Sequence, residues 1–331
     1  MVRRGRCGGV VSGALEGRCR SRWRALWPSL LAVALALAVS WFSPIAESAR
    51  AVGPHRAIKV VNKQRAMHGI PGGVRVSKRF SAGCRKHDRY LLLNSSGGGI
   101  TLTHEEDPGR PGYTKHGDFA GRHSVLSAGA GFGIRKLFRS YFRSPSANAF
   151  ETAPLHLAQV LDPALAVSGF DVSFRGEAAA LCLTTLAGRQ RAEPKQPVIH
   201  TYPGPGRRIY RGMTANESPY APGDLVGLPQ RRRTGPTLYV FVDGPERYFL
   251  RRDTRILSAR LRTAGGRGVR VKTVDNSKPI FNSPASFVIP VRPLRPNTRY
   301  LCTVRLRVGG KRLTHRFAFR TTRETRYSEF G

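Results

Sequence analysis

Three histidines and a run of acids are the residues in this sequence best suited to chemistry. His104 opens His104-Glu105-Glu106-Asp107 on a Pro/Gly-rich stretch reaching Tyr113. His123 follows Gly121-Arg122, and His156 sits within Pro154-Leu155-His156-Leu157. Imidazole ligates metals and titrates near neutrality, and nearby carboxylates orient it or share its proton. Loops commonly carry such side chains. The residue types leave three uses open. His104, Glu105, Glu106, His123 and His156 could line a cleft that binds a ligand without chemistry. His104, His123 and His156 could instead form a three-histidine metal site of a kind zinc accepts. The third use is purely structural. These histidines lack the tight spacing of an H-E-x-x-H pair. There is no G-x-S-x-G elbow, and Ser124 beside His123 is a sequence neighbour only.

The elements that must position these residues begin with two helices. Residues 54–68 place Ala57, Val60, Val61 and Met67 at helical spacing among Arg and Lys, and Gly69-Ile70-Pro71-Gly72-Gly73 ends the pattern. A second helix, capped by Ser77 or Ser81, runs to Asn94 with Cys84, His87, Tyr90, Leu91 and Leu92 on its buried side. On that side His87 is expected to be partly buried and hydrogen-bonded. Residues 168–174 and 178–186 are apolar-rich strands joined near Arg175-Gly176.

Taken together, several of these stretches resemble the CAP superfamily of cysteine-rich secretory, antigen-5 and pathogenesis-related proteins. They are Val61-Asn62 with Arg65 and His68-Gly69, the His104 stretch, Gly121-Arg122-His123, and His156 on to Val167-Ser168-Gly169-Phe170. The likeness is to bacterial members with a β-rich C-terminal extension, and it covers roughly residues 55–187. It implies an α–β–α sandwich with 168–186 as its central hairpin, and a cleft with His104 and His156 as its two histidines. It also implies a lipid or sterol ligand. The chain departs from the pattern at two places. Arg122 stands where the family has the glutamate of a Gly-Glu-Asn motif, and 134–143 holds no acid where a further glutamate is usual. The two-His, two-Glu arrangement is therefore not intact.

Residues 1–51 read as a signal peptide or an uncleaved signal anchor. Arg18, Arg20, Arg22 and Arg24 precede an uncharged run over 25–46, and Ala49-Arg50-Ala51 offers a cleavage site before Val52. This places the remainder outside the cytoplasmic membrane, secreted or membrane-anchored by the leader. Beyond it lie Cys84, Cys182 and Cys302, enough for one intrachain disulfide, and Cys84 and Cys182 share the first domain. Cys302 has inward parity on a strand and reads as a buried thiol.

The formal charge is +36 over 331 residues, and eight arginines against two glutamates in 1–51 leave +30 for the rest. Such a chain is attracted to polyanions. No recognition-helix, zinc-finger or ribonucleoprotein motif points to nucleic acid, so an anionic cell-wall polymer fits an exported protein better. The opposing possibility is a solvated arginine-rich surface. Residues 189–236, dense in Pro and Gly, read as a linker with a short strand near 198–202. Beyond 237, short β runs culminate in 300–308 and 313–321, where apolar residues alternate with Arg305, Arg307, Arg316 and Arg320 around Gly309-Gly310.

The expected fold class is α+β. It comprises a CAP-like α–β–α sandwich over 52–188, a linker over 189–236, an immunoglobulin-like β-sandwich over 237–322 and a tail over 323–331. The expected function is non-catalytic binding of a lipid or an anionic cell-surface polymer, with membrane contact only through the leader or surface charge. The alternative is a metal-dependent hydrolase using the histidine cleft.

Overall fold

The computed structural model describes residues 51–95, 99–215, 217, 221, 223–229, 232–278 and 281–326, without the side chains of Tyr248 and Phe249. The expected leader lies outside the described residues apart from Ala51. None of the described helices is long and apolar enough to cross a membrane.

The first helix, α1 (Pro54–Met67), starts with Pro at its first turn, where a missing N–H costs nothing. It buries Ala57, Ile58, Val60 and Val61. After the short strand β1 (Arg75–Val76), helix α2 (Lys78–Leu93) is capped by Ser77, whose hydroxyl accepts from the Phe80 N–H at 3.1 Å. Helix α3 (Lys115–Arg122) is capped in the same way by Thr114. Strand β2 (Ser124–Ala130), helices α4 (Ile134–Ser140) and α5 (Pro154–Val160), and strands β3 (Val167–Ser168), β4 (Phe170–Arg175) and β5 (Ala178–Thr184) complete this half. β5 is the centre of a three-stranded antiparallel sheet ordered β2-β5-β4, and every one of its residues is buried. A disulfide between Cys84 and Cys182 ties α2 to β5.

The second half adds β6 (Val198–Tyr202), β7 (Arg208–Ile209), β8 (Gly212–Thr214), β9 (Arg233–Thr234), β10 (Leu238–Asp243) and helix α6 (Arg247–Asp253). It continues with β11 (Arg255–Thr263), β12 (Gly268–Val269), β13 (Val271–Val274), β14 (Ala285–Pro290), β15 (Arg299–Val308), β16 (Lys311–Thr321) and β17 (Thr325–Arg326). The two larger sheets run β13-β14-β10-β6 and β12-β11-β15-β16-β7, and a small one runs β17-β8-β9. Cys302 is a buried free thiol on β15, and burial pushes its pKa up to about 12.

The expected fold class is not met. The described chain forms five sheets and six helices, and its strands hold more residues than its helices. It is neither a CAP α–β–α sandwich nor such a sandwich followed by an immunoglobulin-like domain. The physical reason lies in residues 198–214. Their Pro and Gly residues punctuate turns between short strands that enter sheets built mainly from the C-terminal half. β6 pairs with β10, β7 pairs parallel with β16, and β8 pairs parallel with β17.

The same segment also grips the first half. Tyr202 Oη donates to the Glu151 carboxylate at 3.1 Å, and Tyr210 Oη donates to the Glu151 carbonyl at 3.1 Å. The Gly204 N–H donates to His68 Nδ1 at 3.0 Å. One apolar cluster accordingly runs from Val52 on the N-terminal side to Phe319 on β16. Residues that alternate along a strand share a face, and here the inward faces of both halves meet in that cluster.

Candidate functional site

His104 lies on the loop between α2 and α3. A carbonyl can only accept, so its Nδ1 donates to the Gly121 oxygen at 2.8 Å, fixing the tautomer. Its Nε2 makes no hydrogen bond among the described residues. The residue is open to solvent, yet the protein packed about its ring lowers its pKa. His156 and His87 lower it further, against the raising effect of the Gly121 carbonyl. Gly121 is required at this point, because a Cβ there would collide with the His87 ring and the His104 carbonyl.

His156, on α5, is anchored by Glu217. That carboxylate accepts from the Leu155 and His156 backbone N–H groups at 2.8 Å each and from His156 Nδ1. The ring stacks on Phe150 with centroids 5.7 Å apart. Sequence reasoning missed Glu217, which sits in the stretch read as a linker. No local pattern marks an acid whose partner lies 61 residues upstream.

The remaining expected site residues have other duties. Glu106 turns inward, fully buried, and accepts from Thr114 N–H at 2.9 Å and from His87 Nδ1 at 3.0 Å. His87 Nε2 faces the Thr103 carbonyl at 3.0 Å. Both ring nitrogens of His87 are thus engaged, and the His87–Glu106 pair is a buried brace for the loop carrying His104. Glu105 is exposed and pairs with Arg122 at 2.9 Å, and Arg122 also binds Asp118. Arg122 therefore neutralises surface acids. His123 donates from Nδ1 to the Phe119 carbonyl at 2.7 Å and stacks on the Phe119 ring.

Among the described residues no group of three His, Cys, Asp or Glu side chains is placed to hold a metal ion. His104, His123 and His156 are not drawn into one donor set, so the residues present do not fit the three-histidine zinc arrangement. The geometry offers two anchored imidazoles, His104 and His156, the second near enough to help lower the pKa of the first. They can donate or accept hydrogen bonds to a ligand.

A second arrangement lies on the sheet β12-β11-β15-β16-β7, whose strands contain no acidic residue. Cross-strand register sets Arg307 directly opposite Arg255 on one side and Arg312 on the other. Arg299 faces Arg320, and Thr303 lies between Arg260 and Arg316. Directly opposed like charges destabilise a sheet. The inner face of the same strands carries Val304, Leu306, Phe317 and Phe319, all buried. Arg305, Arg307, Arg316 and Arg320 were legible as outward-facing from alternation alone. β11, with Arg255, Arg260 and Arg262, was not, because a bulge between Ile256 and Ser258 breaks its period.

No family model matches the chain. No curated protein matches it significantly. Among solved structures, a DUF4426 family protein from Pseudomonas aeruginosa is similar at 11% identity over 47% of this chain and 97% of its own, with a TM-score of 0.27. A likeness that low carries no argument about fold or function.

Proposed function

We propose that this chain is a non-catalytic binding protein for anionic polymers, acting at the cell surface or in the extracellular medium. One observation carries the reading. A sheet face bears rows of directly opposed arginines and no acid, an arrangement that costs stability unless a polyanion neutralises it. The net charge of +30 beyond residue 51 acts in the same direction at long range. Arginine also suits the task chemically, since its planar fork matches phosphate, sulfate and carboxylate oxygens. The lipid or sterol alternative has no comparable set of residues in its favour.

Binding of the full chain to immobilised heparin and to long-chain polyphosphate, followed across salt concentration, tests the proposal. The wild-type protein binds at low salt and weakens steeply as salt screens the face. Replacing Arg305, Arg307 and Arg316 with glutamine flattens that dependence. Salt-insensitive binding, or a triple variant that binds like wild type, would sink the reading.

A further inference from the structure

A cavity of about 530 Å³ opens where the β11–β12 turn meets β13 and the segment after β14. Six cationic side chains line it: Arg232, Arg267, Arg270, Lys272, Arg292 and Arg295. No acid is among its fifteen lining residues. None of the six forms an ion pair among the described residues. Val269, Val291 and Leu294 supply apolar wall between them.

Two physical points separate this cavity from the flat arginine face. Concavity with low-dielectric walls focuses the field of its charges, whereas charges on an open face are screened from several sides. The volume is also that of a small-ligand pocket, large enough for a sugar-sized group and too small for a folded partner. The six cations come from four separate stretches: the segment before β9, the β11–β12 turn, the run from Arg270 into β13, and the segment after β14. Four chain segments thus contribute donors to one lining. A planar carboxylate engages one guanidinium fork at a time, while a tetrahedral oxyanion presents three acceptor oxygens to donors arrayed around it.

We infer that this cavity is a binding site for a compact, multiply charged ligand bearing tetrahedral oxyanions, a phosphate or sulfate ester. Resting on the polyanion reading, the cavity would hold one such group of the bound polymer. Phosphate and sulfate share the chemistry that the lining recognises.

The test is titration calorimetry of the full chain with inorganic tripolyphosphate, with a sulfated disaccharide and, as a carboxylate control, with citrate. At least one of the first two binds in a one-to-one saturable manner, and citrate binds about tenfold more weakly. An Arg270→Gln/Arg292→Gln variant weakens the bound oxyanion by about tenfold or more, while Arg305→Gln/Arg316→Gln leaves it within about twofold. Circular dichroism and thermal melts of both variants establish that they fold. Failure of both oxyanions to saturate, citrate binding as tightly, or equal losses in the two variants would each overturn the inference. Heparin binding keeps the two claims apart. If the face variant loses heparin and the cavity variant keeps tripolyphosphate, the cavity assignment falls and the polymer reading stands. If the cavity variant loses tripolyphosphate and the face variant keeps heparin, the outcome is reversed.

Discussion

At the scale of single residues, two buried titratable groups pull stability in opposite directions over one pH window. The Glu151 carboxyl, held by Tyr202 and Gln64, is raised to about 7, with burial as the largest cause. The folded state keeps its proton between about 4.5 and 7 while the unfolded chain releases it, so this group's contribution falls as pH rises. His68 behaves oppositely. Burial, helped by the nearby Arg207 charge, lowers it to about 4, and its Nδ1 accepts from the Gly204 N–H. The unfolded chain binds that proton from about 6.5 downward, so the His68 contribution grows as pH rises from about 4 to 6.5. The two offset each other in the wild type. Glu151→Gln removes the falling term, and the variant's stability climbs with pH more steeply, by an amount on the order of 3 kcal/mol across the window. Urea denaturation at several pH values between 4.5 and 7 checks this, and parallel wild-type and variant curves would count against it.

At the scale of elements, close approach and opposed charge are the two features to test. Gly169 precedes β4 where a Cβ would collide with the Phe80 and Ser81 backbone of α2. Gly169→Ala forces the helix off the sheet and costs about 1–3 kcal/mol, read as a lowered thermal midpoint. On the arginine face, Arg307 stands between Arg255 and Arg312. Arg307→Gln raises the melting temperature slightly at low salt while weakening heparin binding, and the gain disappears in high salt. A melting temperature that drops at low salt would contradict the like-charge account. These elements were unevenly legible. The spacing of Ala57, Val60 and Val61 marks α1, although Met67, read with them, is exposed, and Ser77 marks the start of α2, because caps and apolar periodicity are local signals. The 7-residue helices α4, α5 and α6 gave little warning, being too short for a full amphipathic repeat. The candidate histidines were readable as types, but the inward turn of Glu106 and the arrival of Glu217 are tertiary facts with no local signature.

At the scale of the whole molecule, residues 189–236 decide what can be separated from what. Their Pro and Gly content imitates a flexible connector, yet Tyr202, Gly204 and Tyr210 bind Glu151 and His68 while β6, β7 and β8 join strands from the other half. Cleaving the protein there exposes apolar surface on both pieces. Residues 51–196 and 197–331 expressed separately are expected to lack cooperative unfolding transitions, while the uncut protein shows one. A sharp calorimetric transition in either piece alone would refute this. The charge distribution also belongs to this scale, since the arginine face and the cationic cavity both lie in the C-terminal half.

The parallel pairing of β7 with β16 and of β8 with β17 carries a consequence for timing. Chains are synthesised from the amino end, so Arg208 and Gly212 emerge more than one hundred residues before their partners Arg320 and Thr325. Until then two strand edges stand open, with their backbone N–H and C=O groups available to any passing strand. During that interval the nascent chain is open to pairing with the wrong strand.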